Sequence, residues 1–137
     1  MDGSTFMDTP TLMLIDDEFG VRESIKMVFG KQYRLIEADS VETAMPLVQE
    51  ARPEVILLDI MMPRTDGLEL LQRIKKIHAE CAVIMLTGVN SQQLAEKAKG
   101  YGACDFIGKP FDIADLRAKV ARAFEQIANR AASSAGG

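Results

Sequence analysis

Three acidic residues and one lysine stand directly after short apolar runs. Asp16 and Asp17 follow Leu12-Met13-Leu14-Ile15, Asp59 follows Val55-Ile56-Leu57-Leu58, and Lys109 comes just after a run ending at Phe106-Ile107. Ionisable groups at the C-terminal ends of apolar strands lie where an open parallel sheet binds its ligands. Just past a strand end the chain turns, so the neighbours Asp16 and Asp17 can approach one site even though residues within a strand alternate faces. A right-handed crossover from the first strand sets the third beside it and brings Asp59 near that pair. Like charges so placed repel, and at least one carboxyl pKa rises unless a cation compensates. Oxygen donors favour a hard cation, and Mg²⁺ takes one or two carboxylates while keeping several waters. Mg²⁺ is therefore the expected cofactor. A carboxylate beside Mg²⁺ suits phosphoryl transfer, in which a protein mostly positions groups and neutralises phosphoryl oxygens. In that chemistry Asp59 is the expected nucleophile. Lys109 would pair with Asp59 at rest and with a phosphoryl oxygen afterwards. Thr87, closing the fourth strand, would offer its hydroxyl to a second oxygen.

The elements that must hold these groups follow from the alternation of aliphatic runs with amphipathic segments, the pattern of repeated βα units and a parallel sheet. Strands are expected over Thr11 to Ile15, Tyr33 to Ala38, Val55 to Leu58, Ala82 to Thr87 and Asp105 to Ile107. The first helix, from about Gly20 to Phe29, places Val21, Ile25, Val28 and Phe29 on one face, with Gly30 at its C-terminal end. The second starts at Ser40 and buries Ala44, Leu47, Val48 and Ala51 before Pro53 stops it; Pro46, in its second turn, predicts a bend or a frayed start. The third follows Asp66-Gly67, buries Leu68, Leu71 and Ile74, and ends at Lys75 and Lys76, which complement the helix dipole. The fourth, Ser91 to about Lys99, has only Leu94, Ala95 and Ala98 as apolar residues and so is the easiest to shift. The fifth starts with Asp112 as cap and carries Leu116, Val120, Ala123, Phe124 and Ile127 inward. Residues 1–10 and 131–137 read as tails around one domain over 11–130.

Composition narrows the classes. A chain of 137 residues with 47% hydrophobic and 26% charged residues fits one globular domain. Its net charge of −4 argues against nucleic-acid binding by this domain, because such modules usually carry a basic face. Cys81 and Cys104 lack CxxC spacing, and His78, the sole histidine, completes no zinc site; both thiols are expected reduced and in or near the core. His78 is expected exposed. Met13, Met27, Met61, Met62 and Met85 read as gap-filling or loop residues. No apolar run reaches the roughly 20 residues of a membrane span. No secretory signal pattern opens the chain, so a cytoplasmic protein is expected.

The motifs jointly resemble the receiver domain of two-component response regulators over about Thr11 to Ala128. The resemblance is carried by Asp16-Asp17-Glu18, Asp59-Ile60-Met61-Met62-Pro63 followed by Asp66-Gly67, Thr87-Gly88, and Gly102-Ala103 through Asp105-Phe106-Ile107 to Lys109-Pro110-Phe111. It implies a flavodoxin-like, doubly wound α/β fold: a five-stranded parallel sheet in order 2-1-3-4-5 with five helices, its switch point between strands one and three. It also implies roles. Asp59 would be the phosphoacceptor, Asp16 and Asp17 with Asp59 and the Met61 backbone carbonyl the Mg²⁺ ligands, Thr87 and Phe106 the switch pair, Lys109 the phosphate-sensing lysine, and Lys109–Pro110 a cis bond. The implied donor is a phosphohistidine of a sensor histidine kinase or histidine phosphotransfer protein. The implied consequence is a shift of a two-state equilibrium toward an output domain or effector, with homodimerisation through helices four and five open. The domain would promote its own phosphorylation and dephosphorylation without being a turnover enzyme.

Plainer readings compete. Asp16 and Asp17 could only cap the first helix, Asp59 could be a turn residue, Thr87 an ordinary strand residue, Phe106 core and Lys109 a solvated lysine. A haloacid-dehalogenase-like phosphatase needs a second aspartate two positions after its nucleophile, where this chain has Met61. A phosphorylation-independent interaction module would keep the fold and not the chemistry, yet all the reactive residues are present.

Overall fold

Alternation along the apolar strands divides the core into two layers. Met13, Ile15, Ile56, Leu58, Val83 and Met85 face one layer, while Leu12, Leu14, Val55, Leu57, Ile84 and Leu86 face the other. A strand buried on both faces reads as a continuous apolar run, which is why the runs show no polar interruption. The computed structural model describes residues 9–88 and 90–136. Its elements are β1 (Thr11–Ile15), α1 (Phe19–Phe29), β2 (Arg34–Ala38), α2 (Val41–Ala51), β3 (Val55–Asp59), α3 (Gly67–Ile77), β4 (Ala82–Thr87), α4 (Gln92–Gly100), β5 (Asp105–Gly108) and α5 (Ile113–Gly136). The strands form one parallel sheet in the order β2-β1-β3-β4-β5, the expected flavodoxin-like winding. Residues of α2, α3 and α4 join the first layer, and residues of α1 and α5 the second.

Register places the reactive strand ends level. Ile15 pairs with Leu58, Asp59 with Leu86, and Thr87 with Gly108. Helix starts behave as their sequences require. Ser40 accepts a hydrogen bond from the Thr43 amide at 3.2 Å, Asp66 Oδ1 accepts from Leu68 at 2.9 Å and Glu69 at 3.3 Å, and Asp112 Oδ1 accepts from Asp115 at 3.1 Å. Gly67 must be glycine for a steric reason: a Cβ there would stand 2.6 Å from the Ile60 carbonyl oxygen and 2.8 Å from its Cα.

Several expectations are corrected. β2 begins at Arg34 rather than Tyr33, because the Tyr33 amide donates back to the Phe29 carbonyl at the end of α1 at 3.3 Å; its ring stacks on Phe124 of α5 at 4.4 Å. Pro46 neither delays nor ends α2, which runs unbroken from Val41. In α3 Leu70 is fully buried and Leu68 only partly, since the helix turns its 70–71–74 face to the sheet. His78 is buried: it caps α3 through its amide and its Nε2 hydrogen-bonds the Pro53 carbonyl at 2.7 Å. Met27 is exposed on α1 and Cys104 is exposed, whereas Cys81 is buried and burial pushes its thiol up to about 11. The segment expected as a C-terminal tail continues α5 to Gly136, in keeping with the high helix propensity of its alanines. Most of the N-terminal tail expected over 1–10 lies outside the described residues. Among the described residues no helix is long and apolar enough to cross a membrane.

Candidate functional site

The C-terminal edge of β1 and β3 carries the acidic group. Asp16, Asp17 and Asp59 each offer a carboxylate oxygen within 4.8 Å of the others. Asp16 is 0% exposed, Asp59 is buried and Asp17 is exposed on the turn into α1. Backbone bonds fix this turn and the one after β3. The Asp16 amide donates to the Ala38 carbonyl at 3.1 Å, and the Glu18 amide donates to Asp16 Oδ1 at 2.9 Å. The Met61 amide donates to Asp59 Oδ1 at 3.0 Å, and the Ile60 amide to the Leu86 carbonyl at 3.1 Å. One oxygen of each buried carboxylate is thus held by the backbone.

Lys109 enters from the end of β5, across the sheet edge. Its Nζ lies 2.8 Å from Asp16 Oδ2, 3.0 Å from Glu18 Oε1 and 3.3 Å from Asp59 Oδ2. Burial disfavours the ammonium, but the hydrogen bonds to Asp16 and Glu18 outweigh it and hold the Lys109 pKa above the ordinary lysine range. Burial likewise pushes the Asp16 carboxyl up, against the lowering effect of Lys109 and of the Glu18 amide. Buried Asp16 Oδ2 takes no backbone donor among the described residues and faces the Lys109 ammonium at 2.8 Å. A buried carboxylate oxygen balanced only by that ammonium, inside a cluster of three carboxylates within 4.8 Å of one another, fits a small divalent cation such as Mg²⁺.

Thr87 and Phe106 stand on the β4–β5 side. Thr87 is buried, and its hydroxyl donates to the Ile107 carbonyl at 3.4 Å while its own carbonyl accepts the Lys109 amide at 2.7 Å. Phe106 is half-buried against the first layer, with Lys99 Nζ 4.9 Å and Lys119 Nζ 5.8 Å from its ring centroid. The Lys109–Pro110 peptide is cis, as the resemblance implies. The structure therefore brings Asp16, Asp17, Asp59 and Lys109 together and keeps Thr87 one hydrogen bond away, tied to β5. Met61 stands two residues after Asp59, with its side chain exposed.

Two participants carry no role in the sequence reading. Glu18 shares Lys109, and its place in Asp16-Asp17-Glu18 was a usable signal. Arg22 donates from Nη1 to the Asp16 carbonyl at 2.7 Å and from Nε to Glu37 Oε1 at 2.8 Å. Its signal was a basic residue near a helix N-terminus, where the helix dipole disfavours positive charge.

A family model described as response regulator receiver domain matches residues 12–121. Sporulation initiation phosphotransferase F of Bacillus subtilis (strain 168) is 34% identical over 107 residues, covering 77% of this chain and 86% of that protein. Regulatory protein AtoC of Escherichia coli (strain K12) is 32% identical over 115 residues, or 83% of this chain and only 25% of that one. Among solved structures, NtrX from Brucella abortus superposes with a TM-score of 0.89 at 30% identity, covering 94% of this chain and 30% of that chain. The receiver domain of that protein alone gives 0.79 at 32% identity over 83% of this chain and 98% of its own. The chain thus spans most of the first relative and a quarter to a third of the longer ones.

Proposed function

Because the chain belongs to the response regulator receiver domain family of two-component systems, we propose that Asp59 accepts a phosphoryl group from a phosphohistidine and that the domain switches conformation in response. The observation that carries this reading is the convergence on one sheet edge of Asp59, the acid pair and Lys109, with the Lys109 Nζ 3.3 Å from Asp59 Oδ2. In the step, an Asp59 carboxylate oxygen bonds to phosphorus as the phosphorus–nitrogen bond breaks. The imidazole leaves with the bonding pair and takes a proton. Asp16, Asp17, Asp59 and the Met61 carbonyl would hold Mg²⁺, which supplies neutralisation of the phosphoryl oxygens. Lys109 then exchanges its carboxylate partners for a phosphoryl oxygen. Thr87 releases the Ile107 carbonyl to donate to a second oxygen, and Phe106 turns inward behind it. As switch residues these two pass the signal to the α4–β5–α5 side.

The phosphodonor's docking face is supported by an apolar cavity of about 440 Å³ that Lys109 and Pro110 line together with Val21, Met27, Phe111 and Ile113. Phe19, Met27 and Ile113 are 68%, 87% and 55% exposed. Because Lys109 belongs both to this cavity and to the acidic site, a sensor histidine kinase or histidine phosphotransfer protein seated here would bring its phosphohistidine toward Asp59. An output domain, an effector or a second copy would read the α4–β5–α5 side. We place the receiver over residues 11–130, acting in the cytoplasm without binding nucleic acid itself or turning over an external substrate.

The test is an intact mass after incubation with acetyl phosphate and Mg²⁺. One phosphoryl adduct is expected in the wild type and none in Asp59→Asn or in chelator-treated protein. No adduct in the wild type, or an equal adduct in Asp59→Asn, would contradict the reading.

A further inference from the structure

Arg22 is the fourth residue of α1, yet its side chain is only 13% exposed. A cation in the first turn opposes the helix dipole, so a partner must compensate it. Two do. Nε donates to Glu37 Oε1 of β2 at 2.8 Å, and Nη1 donates to the main-chain carbonyl of Asp16 at 2.7 Å. Glu37 is itself held by Lys26 Nζ at 2.9 Å. The guanidinium therefore spans from the neighbouring strand to the first residue of the acid pair. It reaches the backbone of that residue while Lys109 meets its carboxylate.

The bonds around this carbonyl define the turn. The Asp16 amide is tied to Ala38, Asp16 Oδ1 to the Glu18 amide, and the Glu18 carbonyl to the Arg22 amide at 3.2 Å. Asp17 lies inside the loop that Arg22 closes. From this geometry we infer that Arg22, anchored by Glu37, is a positioning residue for metal binding: it fixes the Asp16 carbonyl so that the carboxylates of Asp16 and Asp17 face Asp59. The inference rests on the Mg²⁺ site described above.

Charge and geometry predict opposite signs for its removal. A guanidinium near a bound cation repels it, so a purely electrostatic role would make Arg22→Ala bind Mg²⁺ more tightly. A positioning role makes the same variant bind more weakly, because groups that orient metal ligands typically contribute about ten- to a hundredfold in affinity. Pairing with Glu37 already offsets much of the charge, so geometry wins.

The measurement is Mg²⁺ affinity of the full chain by isothermal titration calorimetry. Arg22→Ala is expected to weaken binding about tenfold. Arg22→Lys recovers part of the loss, since an ammonium can reach one oxygen but cannot fork to two. Glu37→Gln weakens binding less, and added to Arg22→Ala it costs little more, the non-additivity expected of one network. Arg117→Ala, which removes a surface contact to Gln32 away from Glu37 and the Asp16 carbonyl, leaves affinity within about twofold. Circular dichroism without metal shows that each variant is folded; if Arg22→Ala is not, Arg22→Lys carries the comparison. Unchanged or tighter binding in a folded Arg22 variant overturns the inference and leaves the site reading standing. A wild type that binds no Mg²⁺ overturns both.

Discussion

One ammonium serves three carboxylates at this sheet edge. Lys109 lies within 3.3 Å of Asp16, Glu18 and Asp59, so its single positive charge offsets three negative ones. Replacing it by Gln should lower stability by about 2 kcal/mol at neutral pH, because the buried Asp16 and Asp59 would face each other uncompensated. Mg²⁺ should restore more of that loss than it adds to the wild type; equal stabilisation of both proteins in thermal unfolding would count against the charge balance described. Farther out, the Lys26 hydrogen bond holds Glu37 below the ordinary glutamate value of 4.5, and Arg22 adds to it. A depressed carboxyl pKa contributes stability above the unfolded value, and that contribution disappears as pH falls through the folded value. Glu37→Gln should therefore cost about 0.5 kcal/mol at pH 7 for so exposed a pair. The difference should vanish when both proteins are melted well below 4.5. At this scale the reactive residues were legible because each follows an apolar run. Arg22 was only half legible: a cation at a helix start signals that a partner is needed, but the Asp16 carbonyl it meets is presented only by the folded turn. His78 was misread for the same kind of reason: its ring is buried by a hydrogen bond to Pro53, a residue distant in sequence.

Elements differ in how firmly they hold their places. α3 is pressed against the loop after β3, where Gly67 meets the Ile60 backbone, so Gly67→Ala should cost about 1–3 kcal/mol by overpacking. A denaturant midpoint unchanged from the wild type would show that the loop yields freely. α4 is the opposite case. It fully buries only Ala95 and Ala98, and beside it Phe106 is only half-buried against the core, with Lys99 and Lys119 over its ring. Such a helix is drawn from the low-stability end of the structure. Adding beryllium fluoride with Mg²⁺, a phosphoryl mimic, should change amide exchange in Gln92–Gly100 and β5 more than in β1 or β3. Uniform protection across the sheet, or none, would remove α4 as the readout. The sparse apolar pattern of α4 was visible in the sequence. The reach of α5 to Gly136 was not, because small polar residues look like a tail until alanine-rich neighbours continue the helix.

At the level of the whole molecule the winding itself was readable, since continuous apolar strands alternating with amphipathic helices permit few topologies. Parallel order then sets β1 beside β3 and makes one edge both the switch point and the acidic site. A site built from crowded carboxylates should leave the metal-free molecule less stable than the metal-bound one. Mg²⁺ at about a hundred times its dissociation constant would add about 2.7 kcal/mol, read as a rise in the thermal midpoint that Asp17→Asn largely loses. The most direct measurement locates the phosphoryl group itself. Treating the acetyl-phosphate-reacted protein with borohydride reduces an acyl phosphate to an alcohol, and peptide mass mapping then finds the altered residue. Conversion of Asp59 to homoserine, dependent on Mg²⁺, is the expected result; an unmodified Asp59, or conversion at another carboxylate, would contradict the assignment of this edge as a phosphoacceptor site.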